Sequence, residues 1–485
     1  MNEVHSDVLV LGAGFGGLSA AALLAKQGIQ VNILESHVDI GGCAGEFKRK
    51  GLSFNVGATT ISGFAQSKPI YKLCQELGIL EQANESLTRE DIGLIICKNS
   101  KRIRRYSDHV LWLKELSEHF PSIDHKLLWD KLALWDRLAW QMISSNQRLM
   151  PSGFLDYLIL LKPSNLKGLL LLPELFRSFA QLLTSLNINN REYLELMQEL
   201  LMITAQNDSS RTPSLMAALG LMYPAEVFYC KGSINSLAHL ILDSALSNQA
   251  SIHYKHKVVN ITQEQNIYKV TCSNQKVFFA KKVISNIPIW NLSKIANCDF
   301  SRQMNKFSSR FENAPAAFVV NFSVKIDFVL ESHFYQIHVK QAIPQCYSSS
   351  IFVSFSEQKE PGSYTVTIST HCHADDWLEL KEDDYKQAKL QTQSIILEEL
   401  HLAMPELVNY PKEFLMSATP KSYEFFTSRF KGQVGGIPYD LSNPPWTLCP
   451  NRFDDFYLVG DTTFPGQGIA SVVYSAMSAV AKLNA

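Results

Sequence analysis

The 485-residue sequence lacks the features that mark several large classes of protein. Charged residues make up only 19% of the chain, the formal net charge is −1, and no large basic cluster of the kind that binds nucleic acid is present. The nine cysteines are odd in number and form no Cys-x-x-Cys pair, which indicates neither a disulfide framework nor a common zinc motif. We therefore expect reduced thiols and no nucleic-acid partner.

Long hydrophobic runs and a secretory signal are also missing. No window offers about 20 uninterrupted apolar residues for a spanning helix. Residues 1–7 carry no basic region of the kind that begins a signal peptide. These absences predict a cytoplasmic protein. The short basic run Lys101–Arg105 is interpreted as a solvated strand end.

The sequence does contain a glycine-rich turn between a strand pattern and a helix pattern. The apolar run at residues 7–11 predicts a buried strand, and the Ala- and Leu-rich run at residues 18–26 predicts a helix. Gly12, Gly14 and Gly17 stand between them with the spacing of a dinucleotide fingerprint. Such a turn presents backbone N–H groups and the positive end of a helix to a pyrophosphate.

An acidic residue at the expected distance supports the same prediction. Glu35 ends the second apolar run, residues 30–34, and lies eighteen residues beyond Gly17. A carboxylate at this position accepts hydrogen bonds from the hydroxyls of an unphosphorylated ribose. We therefore predict that a dinucleotide binds here.

A second glycine cluster lies near the C-terminus and indicates which dinucleotide is bound. The apolar run at residues 457–459 predicts a strand that delivers Gly460 and Asp461 to a sheet edge. The helix predicted after it begins at Gly468 and Ile469, where its positive end suits the negative charge of a reduced flavin. One site shared by both ends of the chain predicts FAD rather than NAD.

These motifs resemble those of a known family along nearly the whole chain. The stretch GGCAGEFKRKGLSFNVGATTISG, residues 41–63, resembles the flavin-proximal motif of the carotenoid desaturase, carotenoid isomerase and retinol saturase family. Residues 418–438 and 456–476 are similar to the closing motif of the same family, especially in its carotenoid 3,4-desaturase branch. The middle of the chain carries less of the resemblance.

The resemblance implies a set of FAD-binding residues: Gly12, Gly14, Gly17, Glu35, Gly42, Gly57, Ala58, Val258, Gly460, Asp461, Gly468 and Ile469. The first four would hold the ADP half, and Asp461 would form hydrogen bonds with the ribityl or phosphate oxygens. No general base is implied, and Thr59 and Thr60 are positional candidates for catalysis. Asn55 and Cys43 depart from residues that many relatives carry.

The fold expected is α/β, with a Rossmann-type FAD-binding domain interleaved with a substrate domain of mixed sheet and helices, as in flavin amine oxidases. The FAD-binding domain is predicted to be discontinuous, at residues 1–100, 225–300 and 415–485. The substrate domain is predicted from a helical insertion at 101–224 and a sheet-plus-helix insertion at 301–414. His371 and His373 have no further ligands at metal spacing, so no metal site is predicted.

The predicted function is that of an FAD-dependent oxidoreductase acting on a hydrophobic polyene or isoprenoid, with desaturation by hydride transfer to flavin N5. Cis/trans isomerisation and saturation remain open on the same site. A flavin amine oxidase and a non-catalytic prenyl or lipid escort are the alternatives. Residues 157–183, with short apolar clusters among basic residues and two prolines, are a candidate for peripheral membrane contact around a lipophilic substrate.

Overall fold

The computed structural model describes residues 3–149, 162, 165–444 and 452–484. Two large sheets and a layer of helices contain most of these residues. The strands are β1 (Val4–Leu11), β2 (Val31–Leu34), β3 (Glu46–Arg49), β4 (Leu52–Asn55), β5 (Ile61–Ser62), β6 (Leu87–Arg89), β7 (Ile92–Lys98), β8 (Lys101–Tyr106), β9 (Val227–Cys230), β10 (Ser251–His253), β11 (Val258–Glu264), β12 (Ile267–Cys272), β13 (Val277–Ser285), β14 (Ala296–Asn297), β15 (Ala316–Lys325), β16 (Phe334–His338), β17 (Ser350–Glu357), β18 (Ser363–Cys372), β19 (Glu413–Ala418), β20 (Arg452–Phe453) and β21 (Phe456–Leu458).

Helices connect and cover these strands. They are α1 (Phe15–Lys26), α2 (Pro69–Leu77), α3 (Leu80–Ser86), α4 (His109–His119), α5 (His125–Ser145), α6 (Leu166–Leu169), α7 (Phe179–Ser185), α8 (Arg191–Thr204), α9 (Ser214–Met222), α10 (Asn235–Ser247), α11 (Ile289–Ile295), α12 (Ser301–Ser309), α13 (Ala374–Leu378), α14 (Glu382–Ala403), α15 (Pro420–Thr427) and α16 (Ile469–Leu483). No helix in these described ranges is long and apolar enough to cross a membrane.

The first sheet brings the two ends of the chain together. Strand β13 pairs in parallel with β1, where Ile284 lies opposite Val10, and with β21, where Ile284 lies opposite Tyr457. Strands β2 and β10 continue the parallel order beyond β1. Because parallel strands end at the same edge, the turns after β1, β2, β13 and β21 meet there. This arrangement confirms the predicted Rossmann-type sheet.

Small residues allow the helices to pack closely on this sheet. Helix α1 is buried from Phe15 to Ala25 and contacts α10 and α16. The run Ala20–Ala22 lets neighbouring backbone approach because its side chains are short. Ser475 in α16 accepts a hydrogen bond from the Gly460 backbone N–H at 2.9 Å, which ties the last helix to the turn after β21.

The second sheet has the strand order β19-β15-β18-β17-β16-β7-β8. Alternation along β15 divides its residues between two environments. Phe318 and Val320 belong to the core that includes Trp377 of α13, whereas Ala317 and Val319 line a cavity on the other face. Strand β7, within the predicted 1–100 segment, pairs with β16 of this sheet. The proposed domain boundaries themselves remain a prediction.

Helices α4, α5, α8 and α9 form a layer over the cavity side of β7 and β8, with a core that includes Trp112, Trp129 and Tyr193. The Trp129 indole N–H donates to the Tyr193 hydroxyl at 2.9 Å. The interpretation of Lys101–Arg105 as a solvated strand end is wrong for Arg105, which is only 1% exposed. Alternation along β8 places Arg105 on the same face as the buried Ile103, toward this core.

Candidate cofactor and substrate site

The turn after β1 is shaped for a close backbone approach. Gly12 has φ +93°, and a Cβ on Gly17 would lie 2.0 Å from the Gly12 carbonyl oxygen. A Cβ on Gly14 would lie 2.5 Å from Nδ2 of Asn286, which follows β13. Only glycine therefore fits at Gly17 without movement of the backbone, and the N-terminus of α1 stays open toward the edge of the sheet.

Glu35 lies directly beside this turn. Its Oε2 accepts a hydrogen bond from the Ala13 backbone N–H at 2.7 Å, and its Oε1 accepts from the His37 N–H at 2.8 Å. The Ser36 hydroxyl adds a third hydrogen bond at 3.1 Å. The carboxylate is buried, and these bonds fix its orientation at the carboxyl end of β2. It retains acceptor capacity for ribose hydroxyls, because an ionised carboxylate has about four lone-pair sites.

The C-terminal glycine cluster lies across the same sheet edge. Asp461 Oδ2 accepts a hydrogen bond from Arg429 Nη2 at 2.9 Å, and both side chains are largely buried. Burial disfavours the guanidinium charge, but the Asp461 carboxylate outweighs it and raises the pKa of Arg429. Gly468 has φ +91° and open space around its missing Cβ. Arg429 was not predicted as a site residue, although it lies in the matched stretch 418–438.

A cavity of about 380 Å³, called here the cofactor cavity, joins these turns. Most of the predicted FAD-binding residues line it: Gly12, Gly14, Glu35, Gly42, Ala58, Val258, Gly460, Asp461, Gly468 and Ile469. Gly17 does not line it and instead packs against Gly12, while Gly57 lines a neighbouring cavity. The glycine-lined wall, the N-terminus of α1 and the buried charge of Arg429 suit an extended cofactor with a pyrophosphate.

Two further cavities adjoin the cofactor cavity. The inner cavity, about 270 Å³, lies between the second sheet and the helical layer and shares Cys43 and Ala58 with the cofactor cavity. The outer cavity, about 770 Å³, shares Gly468 and Ile469 with it. Residues common to the inner and outer cavities include Ile203. A molecule that occupies both would therefore pass Ile203, and each of the two cavities also borders the cofactor cavity.

The two catalytic candidates, Thr59 and Thr60, line the inner cavity. Thr60 also lines the outer cavity, and its hydroxyl shares a hydrogen bond of 2.7 Å with the hydroxyl of Tyr223. Burial raises the pKa of Tyr223 to about 12, so that this phenol keeps its proton at neutral pH. Thr59 is also buried. Tyr223 was not predicted, because a lone tyrosine in the helical insertion carries no motif.

Asn55 and Cys43, which depart from the family pattern, both have polar neighbours in the structure. The Asn55 side chain accepts from Ser233 Oγ at 3.0 Å and from the Ile234 backbone N–H at 3.3 Å, and it donates to Ser356 Oγ at 2.9 Å. It therefore connects three distant parts of the chain. Burial raises the pKa of the Cys43 thiol, with the nearby Arg429 acting in the opposite direction.

The two histidines near the end of β18 have different surroundings. His371 lines the inner cavity, and burial lowers its pKa to about 4, which keeps the imidazole neutral. Its Nε2 lies 3.5 Å from Nε2 of Gln206. The His373 ring centre lies 4.5 Å from that of Tyr347, and the two ring planes are tilted by 33°. The described part of the chain contains no group of three His, Cys, Asp or Glu side chains that would hold a metal ion.

The candidate membrane segment, residues 157–183, is described only in part, since 157–161 and 163–164 lie outside the described residues. Its described leucines include Leu169, Leu171, Leu172 and Leu175, which line the outer cavity. Leu170 is 77% exposed and Phe176 is 61% exposed. The segment thus presents apolar side chains both to the outer cavity and to solvent.

Comparison with known proteins places this geometry among flavoenzymes. The family described as flavin containing amine oxidoreductase matches residues 15–484. The chloroplastic prolycopene isomerase of Arabidopsis thaliana is 23% identical over 97% of this chain and 81% of that protein. The all-trans-retinol 13,14-reductase of Homo sapiens is 35% identical over a shorter match, which covers 24% of this chain and 19% of that protein.

Solved structures share the fold at low sequence identity. A putrescine oxidase variant aligns with a TM-score of 0.66 and 15% identity over the whole of both chains. Cyclohexylamine oxidase from Brevibacterium oxydans aligns with a TM-score of 0.59 and 14% identity over 99% of this chain and 98% of that one. These alignments confirm the predicted flavin amine oxidase-like architecture.

Proposed function

Because the chain belongs to the flavin containing amine oxidoreductase family, and is an FAD-dependent enzyme, we propose that its substrate is a hydrophobic polyene of the carotenoid or isoprenoid class. The observation that carries this proposal is the pair of apolar cavities that meet the cofactor cavity. The relatives named for prolycopene and retinol support the same class. Desaturation is the reaction we propose first, with isomerisation and saturation as the other outcomes on this site.

The residues that would hold FAD are those of the cofactor cavity. The N-terminus of α1 would bind the pyrophosphate, Glu35 the ribose, and the strand beginning at Val258 the adenine. Arg429 and Asp461 would stabilise the polar part of the cofactor toward the last helix. When bound, FAD supplies a centre that accepts or donates hydride. The chain's own task is then to orient the substrate and to exclude water.

The charges around the two substrate cavities favour a hydrocarbon over an amine. Among the described residues no carboxylate lines the inner or the outer cavity, and Arg105 places a positive charge at the inner one. A protonated amine would therefore find repulsion and no ion-pair partner. Leucine and isoleucine side chains, by contrast, favour binding of a polyene, because removing its apolar surface from water stabilises the complex by about 25 cal/mol per Å².

The hydroxyl pair of Thr60 and Tyr223 is placed to manage a proton beside the substrate. It lies where the inner and outer cavities meet, close to Ala58 of the cofactor cavity. Because Tyr223 keeps its proton at neutral pH, its hydroxyl would act as a donor. We propose that this pair positions the reacting part of the polyene and holds a proton at the Tyr223 oxygen.

Access from a lipid phase would pass through the leucine-rich part of segment 157–183. Exposed Leu170 and Phe176 adjoin leucines of the outer cavity, so they would touch the headgroup region while the cavity opens to the lipid.

Replacing both Leu170 and Phe176 with serine should weaken co-sedimentation with anionic vesicles severalfold. Serine at Val329, which is 93% exposed in another region, is the matched control. Equal binding of both variants and wild type would remove the membrane proposal.

Anaerobic incubation of the FAD-loaded protein with candidate polyenes in liposomes tests the function. Loss of the oxidised-flavin absorbance together with a product of longer conjugation would indicate desaturation. A product of shorter conjugation from pre-reduced protein would indicate saturation, and a changed geometry with unchanged length would indicate isomerisation. In a separate assay with O2 present, hydrogen peroxide formation on simple amines without any change in the polyenes would favour an amine oxidase. A purified protein that takes up no FAD would favour the escort.

A further inference from the structure

Strand β8 carries four basic residues, and one of them differs from the others because it has no carboxylate partner among the described residues. Three of them have a carboxylate partner: Lys101 pairs with Glu192 at 3.1 Å, Arg102 with Glu406 at 2.7 Å and Arg104 with Glu331 at 2.8 Å. These three are partly exposed. The fourth, Arg105, is the most buried of the set at 1% exposure. Among the described residues no carboxylate contributes to its electrostatic surroundings.

The guanidinium of Arg105 is held mainly by aromatic rings. Its Cζ lies 4.6 Å from the ring centre of Trp112 and 5.1 Å from that of Trp129. Nη1 donates to the Tyr106 carbonyl at 2.7 Å, while Nη2 has only long contacts, to the Leu221 carbonyl at 3.5 Å and the Met222 sulfur at 3.8 Å. Nε has no hydrogen-bond partner among the described residues.

Such an arrangement is unusual for a residue with only a structural role. A buried charge without a counter-ion is costly, and arginines that remain buried are normally paired with a carboxylate or phosphate. Burial lowers the pKa of Arg105 to about 9, which still leaves the guanidinium charged at neutral pH. The cation–π contacts compensate part of this cost. The described residues therefore leave donor capacity of the guanidinium unused.

Arg105 also lies in the wall of the inner cavity, together with Gln336, whose side chain is fully buried and whose Oε1 has no hydrogen-bond partner among the described residues. The surrounding wall includes Leu94, Leu200 and Phe352. Neither Arg105 nor Gln336 lines the cofactor cavity. The inner cavity therefore combines apolar wall residues with a charged group that is not part of the cofactor cavity.

We propose that Arg105 forms a carboxylate subsite, so that the substrate is a conjugated hydrocarbon chain with an acidic end group. The inference rests on the proposed function, because it assumes that the inner cavity holds part of the polyene. A guanidinium suits a carboxylate because its planar N–H groups match the two carboxylate oxygens. Binding the acid at Arg105 would leave the hydrocarbon chain to extend past Thr60 toward the cofactor cavity.

The test compares a conjugated fatty acid with its methyl ester on the FAD-loaded protein. Parinaric acid and methyl parinarate are suitable probes, since both carry the same tetraene and report binding by fluorescence. We expect wild type to bind the acid about tenfold to a hundredfold more tightly than the ester, as charge-assisted hydrogen bonds would give. Arg105→Met should abolish this preference while changing the affinity for the ester less than about threefold, and Arg105→Lys should retain part of it.

Arg104→Gln is the matched control, because it removes a neighbouring positive charge whose partner is the exposed Glu331. It should leave the acid-to-ester ratio unchanged. Equal binding of acid and ester by wild type would overturn the carboxylate subsite while leaving the polyene function intact. Binding of neither probe would instead contradict the proposed function. If Arg105→Met fails to fold, the ratio for wild type and Arg105→Lys still decides the matter.

Discussion

The cofactor cavity and the inner cavity are neighbours, but they are built in different ways. The cofactor cavity is lined by backbone at glycines of two turns, including Gly12 and Gly460. The inner cavity is lined by side chains from the second sheet and the helical layer, such as Val319 and Leu200. Backbone recognition requires glycines at fixed spacing, whereas side-chain recognition requires only suitable volume and polarity. The first therefore leaves a motif in the sequence, and the second does not.

The largest effect is expected from a methyl group added at the first turn. Gly17→Ala would place its Cβ 2.0 Å from the Gly12 carbonyl oxygen, so α1 must move away from β1. We expect a protein that purifies without FAD or fails to fold, as measured by flavin absorbance and thermal unfolding. Gly28→Asn, at the other end of the same helix with φ +81° and open space around its Cβ position, should retain FAD. Normal FAD content in Gly17→Ala would contradict the role of this turn.

The next effect should separate the two cavities. Ile203 lines both the inner and the outer cavity, so Ile203→Trp should block the passage between them. We expect turnover of a polyene to fall by at least about a hundredfold, because misplacing the reacting atoms is costly, while the FAD content stays at the wild-type level. Ile203→Leu, which conserves volume, should stay within a few-fold of wild type. Loss of FAD in the tryptophan variant would show that the cavities do not act separately.

A smaller effect should appear at the ribose carboxylate. Glu35→Gln replaces an acceptor oxygen with a donor amide beside the N–H groups of Ala13 and His37. We expect FAD to bind about tenfold more weakly, which corresponds to the loss of about 1.4 kcal/mol. Asp39→Asn is the control, because it removes an equal charge from the same loop. Asp39 accepts a hydrogen bond from the Ile40 backbone N–H and does not line the cofactor cavity. A titration in which both variants match wild type would argue against Glu35 as a cofactor ligand.

The last prediction concerns the pH dependence of stability at the inner cavity wall, not cofactor binding or turnover. His371 has a folded-state pKa of about 4, below the ordinary 6.5, because burial disfavours its charge. The unfolded chain therefore binds the proton first, and His371 reduces stability as the pH falls from about 6.5 toward 4. His371→Asn should lessen the pH-dependent loss by about 1–3 kcal/mol. His5→Asn, at an exposed site, is the control and should leave the pH-dependent loss as it is in wild type. If the free energy of unfolding of His371→Asn and of wild type falls in parallel with pH, His371 does not cause the loss.

The same contrast explains what the sequence predicted and what it did not. The strand, turn and helix around Gly12 and the convergence of the termini follow from local periodicity and glycine spacing. The contacts of Arg105 do not follow from local sequence. Alternation along the strand decides on which face its side chain lies, and the helices that bury it come from other parts of the chain. Tyr223 and Arg429 were missed for a similar reason, because their positions depend on tertiary packing. The roles of all these residues remain proposals.

The most direct test of the central claim is an anaerobic titration of the FAD-loaded protein with a polyene in liposomes, followed by spectroscopy and product analysis. We expect a change of the polyene that depends on FAD, is retained in Ile203→Leu and is lost in Ile203→Trp with its flavin still bound. A polyene that reacts equally in both variants, or that is unchanged with either oxidised or reduced flavin, would contradict the claim that the cavities meet at the cofactor.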